Sequence, residues 1–159
     1  MPRLPANLFR ASYLPACARH DSGFIAMPHL VVQYTPGLDA RTDMAKLCRT
    51  LSDLLVGFTD DDGSKPFPIG GVRVLAYPAT HASVADARQD YPFVYLNLRI
   101  APGRSRAVIE RAGQAMTSAA RAHFEPILAA GPLGLTLQID ETAPAFDAKI
   151  GTLHALFRK

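Results

Sequence analysis

The sequence predicts an α+β fold: two consecutive βαβ units forming one four-stranded mixed sheet with two helices on one face. Three observations carry this. Apolar periodicity runs strand, helix, strand, and then strand, helix, strand again. Each helix lies between two strands, and a crossover of that size joins parallel neighbours in a right-handed unit. The two units have similar lengths, which points to an internal duplication of structure.

The first strand covers 28–35. Leu30, Val31 and Val32 form a β-branched, apolar run closed by the turn signal Pro36-Gly37. Asp39 is placed to cap the helix that follows. Along that helix Met44, Leu47, Cys48, Leu51, Leu54 and Leu55 recur at three- and four-residue steps, and it ends near Gly57. Asp60-Asp61-Asp62-Gly63-Ser64 lacks the ligand spacing and closing glutamate of a calcium loop, so it reads as a solvated loop. Residues 71–77 read as the second strand, ended by Pro78.

The third strand covers 91–100. It puts Phe93, Tyr95, Asn97 and Arg99 on one face and Val94, Leu96, Leu98 and Ile100 on the other. Pro102-Gly103 closes it and Ser105 caps the second helix. Val108, Ile109, Ala112, Met116, Ala119, Ala120, Phe124 and Ile127 make that helix's apolar face, whose small residues suit close packing on a sheet. Residues 134–140 are the fourth strand, and 153–157 a short last strand or a turn of helix. With both helices on one face, the other face is bare. Apolar strand residues such as Val31 and Leu96, or their neighbours, would then favour burial by self-association.

Composition narrows the function. The 159 residues suffice for one domain with a sizeable core, and 48% hydrophobic against 19% charged residues is a globular balance. Two cysteines, Cys17 and Cys48, make neither a disulfide framework nor a zinc cluster; they fit a reducing, cytoplasmic setting. Cys48 falls on the helix face as a small core residue. No apolar run approaches a membrane span. Arg3, Arg10 and Arg19 against Asp21 put +2 of the formal +3 in residues 1–27. The remainder carries no basic stripe with interleaved aromatics, which argues against a nucleic-acid surface. Residues 1–27, broken by Pro2, Pro5 and Pro15, have no secretory apolar core. They read as a leader or mis-assigned N-terminal extension, disordered, ahead of a single domain over 28–159.

That division gives Pro28 its interest. Met27-Pro28-His29 leads directly into the first strand. If Met27 is the start and is removed, Pro28 carries a secondary amine on a rigid ring. An α-amino group titrates at about 7.7–8.0, and burial or a nearby cation lowers that toward a value useful for general acid–base catalysis. In mid-chain the same nitrogen is an amide without basicity, and a proline ahead of a strand is ordinary.

Met27-Pro28-His29, Gly71-Val72-Arg73, Asp90-Tyr91-Pro92-Phe93-Val94, Gly103-Arg104-Ser105 and His154-Ala155-Leu156-Phe157 follow one another in an order and spacing that resembles the tautomerase superfamily. More narrowly they resemble the 5-carboxymethyl-2-hydroxymuconate isomerase family of bacterial homoprotocatechuate breakdown. The resemblance spans nearly all of 28–159. It implies a double βαβ fold, a homotrimer, no cofactor and no metal. It also implies Pro28 as catalytic base and Arg73 and Arg104 as binders of a small dicarboxylate substrate. The residues alone make Arg73 a solvated strand residue and Arg104 a surface residue at a helix start, where anions rather than cations are favoured. The chain departs from the family in the leader and in Gln33, which stands where a relative has an acid.

The implied reaction moves a proton within an unsaturated 2-hydroxy or 2-oxo dicarboxylate. Two other readings stay open: a tautomerase of another 2-oxo acid, and an inactive trimeric binding protein in which the leader keeps Pro28 acylated. His29 flanks the proposed base without an assigned role. His81, His123 and His154 have no partner at metal spacing.

Overall fold

The computed structural model describes residues 27–148 and 150–157. Apart from Met27, the expectation for residues 1–27 lies outside the described residues. The elements run β1 (His29–Tyr34), α1 (Met44–Gly57), β2 (Arg73–Pro78), β3 (Phe93–Ile100), α2 (Arg106–Ala130) and β4 (Gly134–Glu141). The sheet order is β2-β1-β3-β4. β2 is parallel to β1 and β4 to β3, whereas β1 and β3 meet antiparallel. Each βαβ unit is thus a parallel pair, and the two units join through their first strands.

Period-two burial decides which side the helices cover. In β1, Leu30, Val32 and Tyr34 are buried while His29 and Gln33 are exposed. Val94, Leu96 and Leu98 of β3 share one cluster with Leu47, Leu51 and Leu55 of α1 and with Ala112, Met116 and Phe124 of α2. One face therefore carries both helices, as expected. Each fully buried leucine there contributes about 1.5–3 kcal/mol. Gly113 lets α2 approach β4, for a Cβ there would stand 3.3 Å from Ile139 Cδ1.

Three expectations shift. Val31 and Leu96 do not share a face: Leu96 is in the core, while Val31 pairs across the open face with Leu75 and Asn97. Asp39 does not cap α1. Gly37, in the left-handed region at φ 85°, turns the chain into a 3-10 turn at Leu38–Ala40, and Asp39 there accepts the Tyr34 hydroxyl at 2.7 Å. The cap is Asp43, whose carboxylate accepts the Lys46 N–H at 2.9 Å. β2 starts at Arg73 because Ile69–Gly71 is a 3-10 turn, and it retains Pro78 as its last residue. Of the two readings of 153–157, the turn of helix holds: Leu153–Phe157 is a 3-10 turn lying against Ile69–Gly71. Ser105 does cap α2, accepting the Val108 N–H at 3.2 Å.

Candidate active site

Pro28 precedes the first ladder residue of β1 and is buried. Its carbonyl accepts the Arg73 N–H at 3.0 Å, which ties it to the start of β2. Its ring rests on Gly71. A Cβ added to Gly71 would lie 3.4 Å from Pro28 Cδ and 3.4 Å from Pro68 Cγ. Gly71 is in turn fixed by its N–H, which donates to the Pro68 carbonyl at 2.8 Å. The end of the α1–β2 connection, residues 66–72, is therefore the cradle of Pro28.

Both arginines expected at the site converge on that cradle. Arg73 Nη1 donates to the carbonyls of Gly70 (3.0 Å) and Val72 (2.9 Å). Among the described residues, Arg73 Nε and Nη2 make no hydrogen bond. Arg104 Nε and Nη2 donate to the Pro66 carbonyl at 3.1 and 2.9 Å, and Nη1 to Ala101 at 2.9 Å. Its guanidinium carbon stands 5.0 Å from the centre of the buried Phe67 ring, a cation–π contact. Burial pulls the Arg104 guanidinium below the ordinary arginine range and Glu141 pulls it back; it stays charged, since arginine does not deprotonate in proteins.

The register adds residues that spacing alone does not reveal. His29 pairs with Arg73 on one side and Arg99 on the other, and Arg99 pairs with Asp140. Arg73, His29, Arg99 and Asp140 thus form one row on the open face, next to Pro28. Arg99 Nε donates to Asn97 Oδ1 at 3.1 Å, and Asn97 Nδ2 donates to Asp140 Oδ2 at 2.7 Å. Asn97 and Gln138 hydrogen bonds, with Arg99 nearby, hold the Asp140 carboxyl below its usual range. Alternation in the third strand signals the face of Arg99, but only pairing reveals its place beside His29. Pro68 and Phe67 are likewise invisible before the connection is folded, and Gly71, legible only as part of a motif, gains its place under Pro28 there. Gln33 is far from this row: with Tyr77, Phe93 and Tyr95 it lines a cavity of about 380 Å³ beyond the other end of β1.

The acidic loop is also more than solvated. Arg111 Nη2 donates to Asp60 Oδ1 at 2.6 Å, and Nη1 binds Asp61 Oδ1. His123 Nε2 meets Thr42 Oγ1 at 2.8 Å, joining α2 to the residues before α1. No described helix is long and apolar enough to cross a membrane.

Comparison with known proteins places this geometry. The family model for 5-carboxymethyl-2-hydroxymuconate isomerase matches residues 28–157. The chain belongs to that family. The narrower resemblance read from the motifs, to this isomerase family, therefore holds. The 5-carboxymethyl-2-hydroxymuconate Delta-isomerase of Escherichia coli is 26% identical over 132 residues, covering 83% of this chain and all of that protein. A crystal structure of a 5-carboxymethyl-2-hydroxymuconate delta-isomerase is 49% identical and superimposes with a TM-score of 0.80, covering 86% of this chain and 96% of that one. A 5-carboxymethyl-2-hydroxymuconate isomerase from Deinococcus radiodurans R1 is 33% identical, with a TM-score of 0.75, covering 86% and 98% of the two chains.

Proposed function

We propose that this family member is a cofactor-independent isomerase in which the free amine of Pro28 moves a proton within 5-carboxymethyl-2-hydroxymuconate, a step of homoprotocatechuate breakdown in the cytoplasm. The observation that carries the reading is the seat of Pro28: a buried proline at the head of β1, cradled by a connection on which Arg73 and Arg104 converge. The family match beginning at residue 28 supports a working chain that starts there. Residues 1–27 are then a leader, outside the single domain.

Pro28, neutral, removes a proton from one carbon of the substrate. As an ammonium on the same rigid ring it returns a proton to another carbon. Negative charge develops on the 2-oxygen and its conjugated carboxylate. Arg73, with Nε and Nη2 not engaged by the described residues, and Arg104 bind the carboxylates in the planar two-point manner of guanidinium. A donor aimed at such charge contributes about 3–4 kcal/mol of barrier lowering. The same cations disfavour protonated Pro28 and bring its pKa toward neutrality. This chemistry calls on no metal or organic cofactor.

The open sheet face, with Val31, Leu75 and Tyr77 across two strands, supports burial against two further copies in a homotrimer. Intact mass and N-terminal sequencing of the protein from its own host test the central claim. A chain beginning at Pro28, inactivated by Pro28→Ala with assembly kept, is the expected result. A fully active protein that retains Met1 would overturn it.

A further inference from the structure

The 58–72 connection has no α-helix or strand of its own, and connections of that length are ordinarily loose unless something fixes them. Here two arginines, one just before α2 and one within it, fix it at two points. Arg104 lies in the turn just before the Ser105 cap of α2 and Arg111 in the helix's second turn, and both guanidinium groups meet the connection. Arg104 grips its far end, at the Pro66 carbonyl and the Phe67 ring. Arg111 grips its near end. It binds Asp60 and Asp61, and its guanidinium carbon stands 5.6 Å from the centre of the Phe58 ring. Phe58 and Phe67 meet edge to face at 5.6 Å. The result is a continuous stack of guanidinium, ring, ring and guanidinium, whose last member holds the cradle of Pro28.

Two details make this more than a surface ion pair. Asp60 is committed locally as well: its Oδ1 takes the Asp61 N–H, its carbonyl takes the Gly63 N–H, and its own N–H donates to Ser64. A carboxylate held this way presents a fixed target to Arg111. Arg111 Nε, moreover, is buried without a hydrogen-bond partner among the described residues, a cost that a freely solvated arginine would escape.

We propose that Arg111 is a positioning residue for the Pro28 site: through Phe58 and Phe67 it sets where Arg104 and the 66–72 cradle stand. This rests on the reading of Pro28 as base. Arg111 touches no reacting atom; it acts at a distance by keeping the connection on α2.

The test uses the chain starting at Pro28, assayed on 5-carboxymethyl-2-hydroxymuconate at a temperature where every variant is folded by circular dichroism. Arg111→Met keeps the stem and removes the fork. The expected result is a fall in kcat/KM of about tenfold, with kcat reduced as well as KM raised, since base and binder both shift. Arg111→Lys should restore part of it. Combined with Arg104→Lys, the losses should be clearly less than additive, because one residue acts through the other. A residue serving stability alone would lower the melting temperature and leave kcat/KM intact. Wild-type kcat/KM in Arg111→Met, or strictly additive losses, overturns the proposal. Should Arg111→Met fail to fold, Asp60→Asn with Asp61→Asn decides by the same readouts. Pro28→Ala, run alongside, separates the two ideas. If it is inactive while Arg111→Met is wild type, only the positioning role falls; if it is fully active, both fall.

Discussion

Gly71 presents a bare Cα to the pyrrolidine ring of Pro28, close enough that an added Cβ would stand 3.4 Å from Pro28 Cδ. The same Cβ would meet Pro68 Cγ at 3.4 Å and Met27 Cα at 3.3 Å. The proposed base is therefore held from below by a position with no side chain. Gly71→Ala should be mild in a chain lacking Met27, because the remaining contacts are ordinary van der Waals distances. Gly71→Val adds branches that must displace the ring. It should lower kcat by at least about tenfold, as misplacement of a catalytic group by an ångström does. Steady-state kinetics on both variants, with melting curves to show that each is folded, check the graded effect. Equal activities would mean that the contact does not position Pro28.

Arg73 differs from Arg104 in what it has to give. Its Nη1 holds the turn through Gly70 and Val72, whereas Arg104 has Pro66, Ala101 and the Phe67 ring. Arg73→Lys cannot reproduce a two-point contact. The expected outcome is a KM raised about tenfold or more with little loss of stability. Arg104→Ala should weaken substrate handling and also lower the melting temperature, because a ring contact and backbone partners vanish with it. Paired kinetic and thermal measurements on the two variants separate them; identical behaviour would contradict the division.

Asp43 illustrates what sequence could and could not reveal. The sequence points to Asp39 as the cap of α1, whereas the structure caps it with Asp43. The choice depends on Gly37, whose left-handed conformation inserts a 3-10 turn before the helix; spacing carries no record of that. Period-two and period-3.6 patterns place the four strands and the two α-helices because burial enforces them. The cradle was hidden because it depends on a connection whose contacts, Phe58 to Phe67 and Gly71 to Pro28, are long-range or backbone-shaped. Asp43→Ala should cost about 1 kcal/mol, a few degrees of melting temperature for a domain of this size, with activity unchanged. Asp39→Ala should leave α1 capped and instead release the Tyr34 hydroxyl, whose pKa burial and Asp39 push up to about 12. Thermal melts of the two variants test the assignment.

His123 predicts a pH effect. Burial, with Lys46 nearby, lowers its pKa below the ordinary value, and Asp43 opposes this weakly. The unfolded chain therefore binds the proton more readily than the folded one. Stability should fall as pH drops below about 6.5, the unfolded histidine value, and the loss should level off once pH passes the folded pKa. Asp62 and Asp140 shift downward too, but their contribution is lost only at the lower pH where carboxylates protonate. Denaturant midpoints between pH 7.5 and 5 should decline in the wild type and flatten in His123→Gln. An unchanged slope in that variant would remove His123 as the cause.

The open face of the sheet carries the last prediction. Val31 pairs with Leu75, and Gln33 with Tyr77; Leu75 and Tyr77 are 40% and 51% exposed on an edge strand. Beside them Tyr95, Gln138, Asp140, Asn97 and Arg99 form a chain of hydrogen bonds, from the Tyr95 hydroxyl on Gln138 to Arg99 on Asn97. Asn97 is buried within the single chain, held between Arg99 and Asp140, and a fixed polar row beside an apolar patch matches an interface with an apolar core and a polar rim. An edge strand with exposed apolar residues is moreover open to pairing with another chain. Leu75→Asp with Tyr77→Lys places two charges in that patch while leaving the helix-covered core intact. Light scattering should show a trimer for the wild type and a smaller, folded species for the double variant. A monomeric wild type at micromolar concentration would refute the assembly, and the open face would then need another explanation for its order.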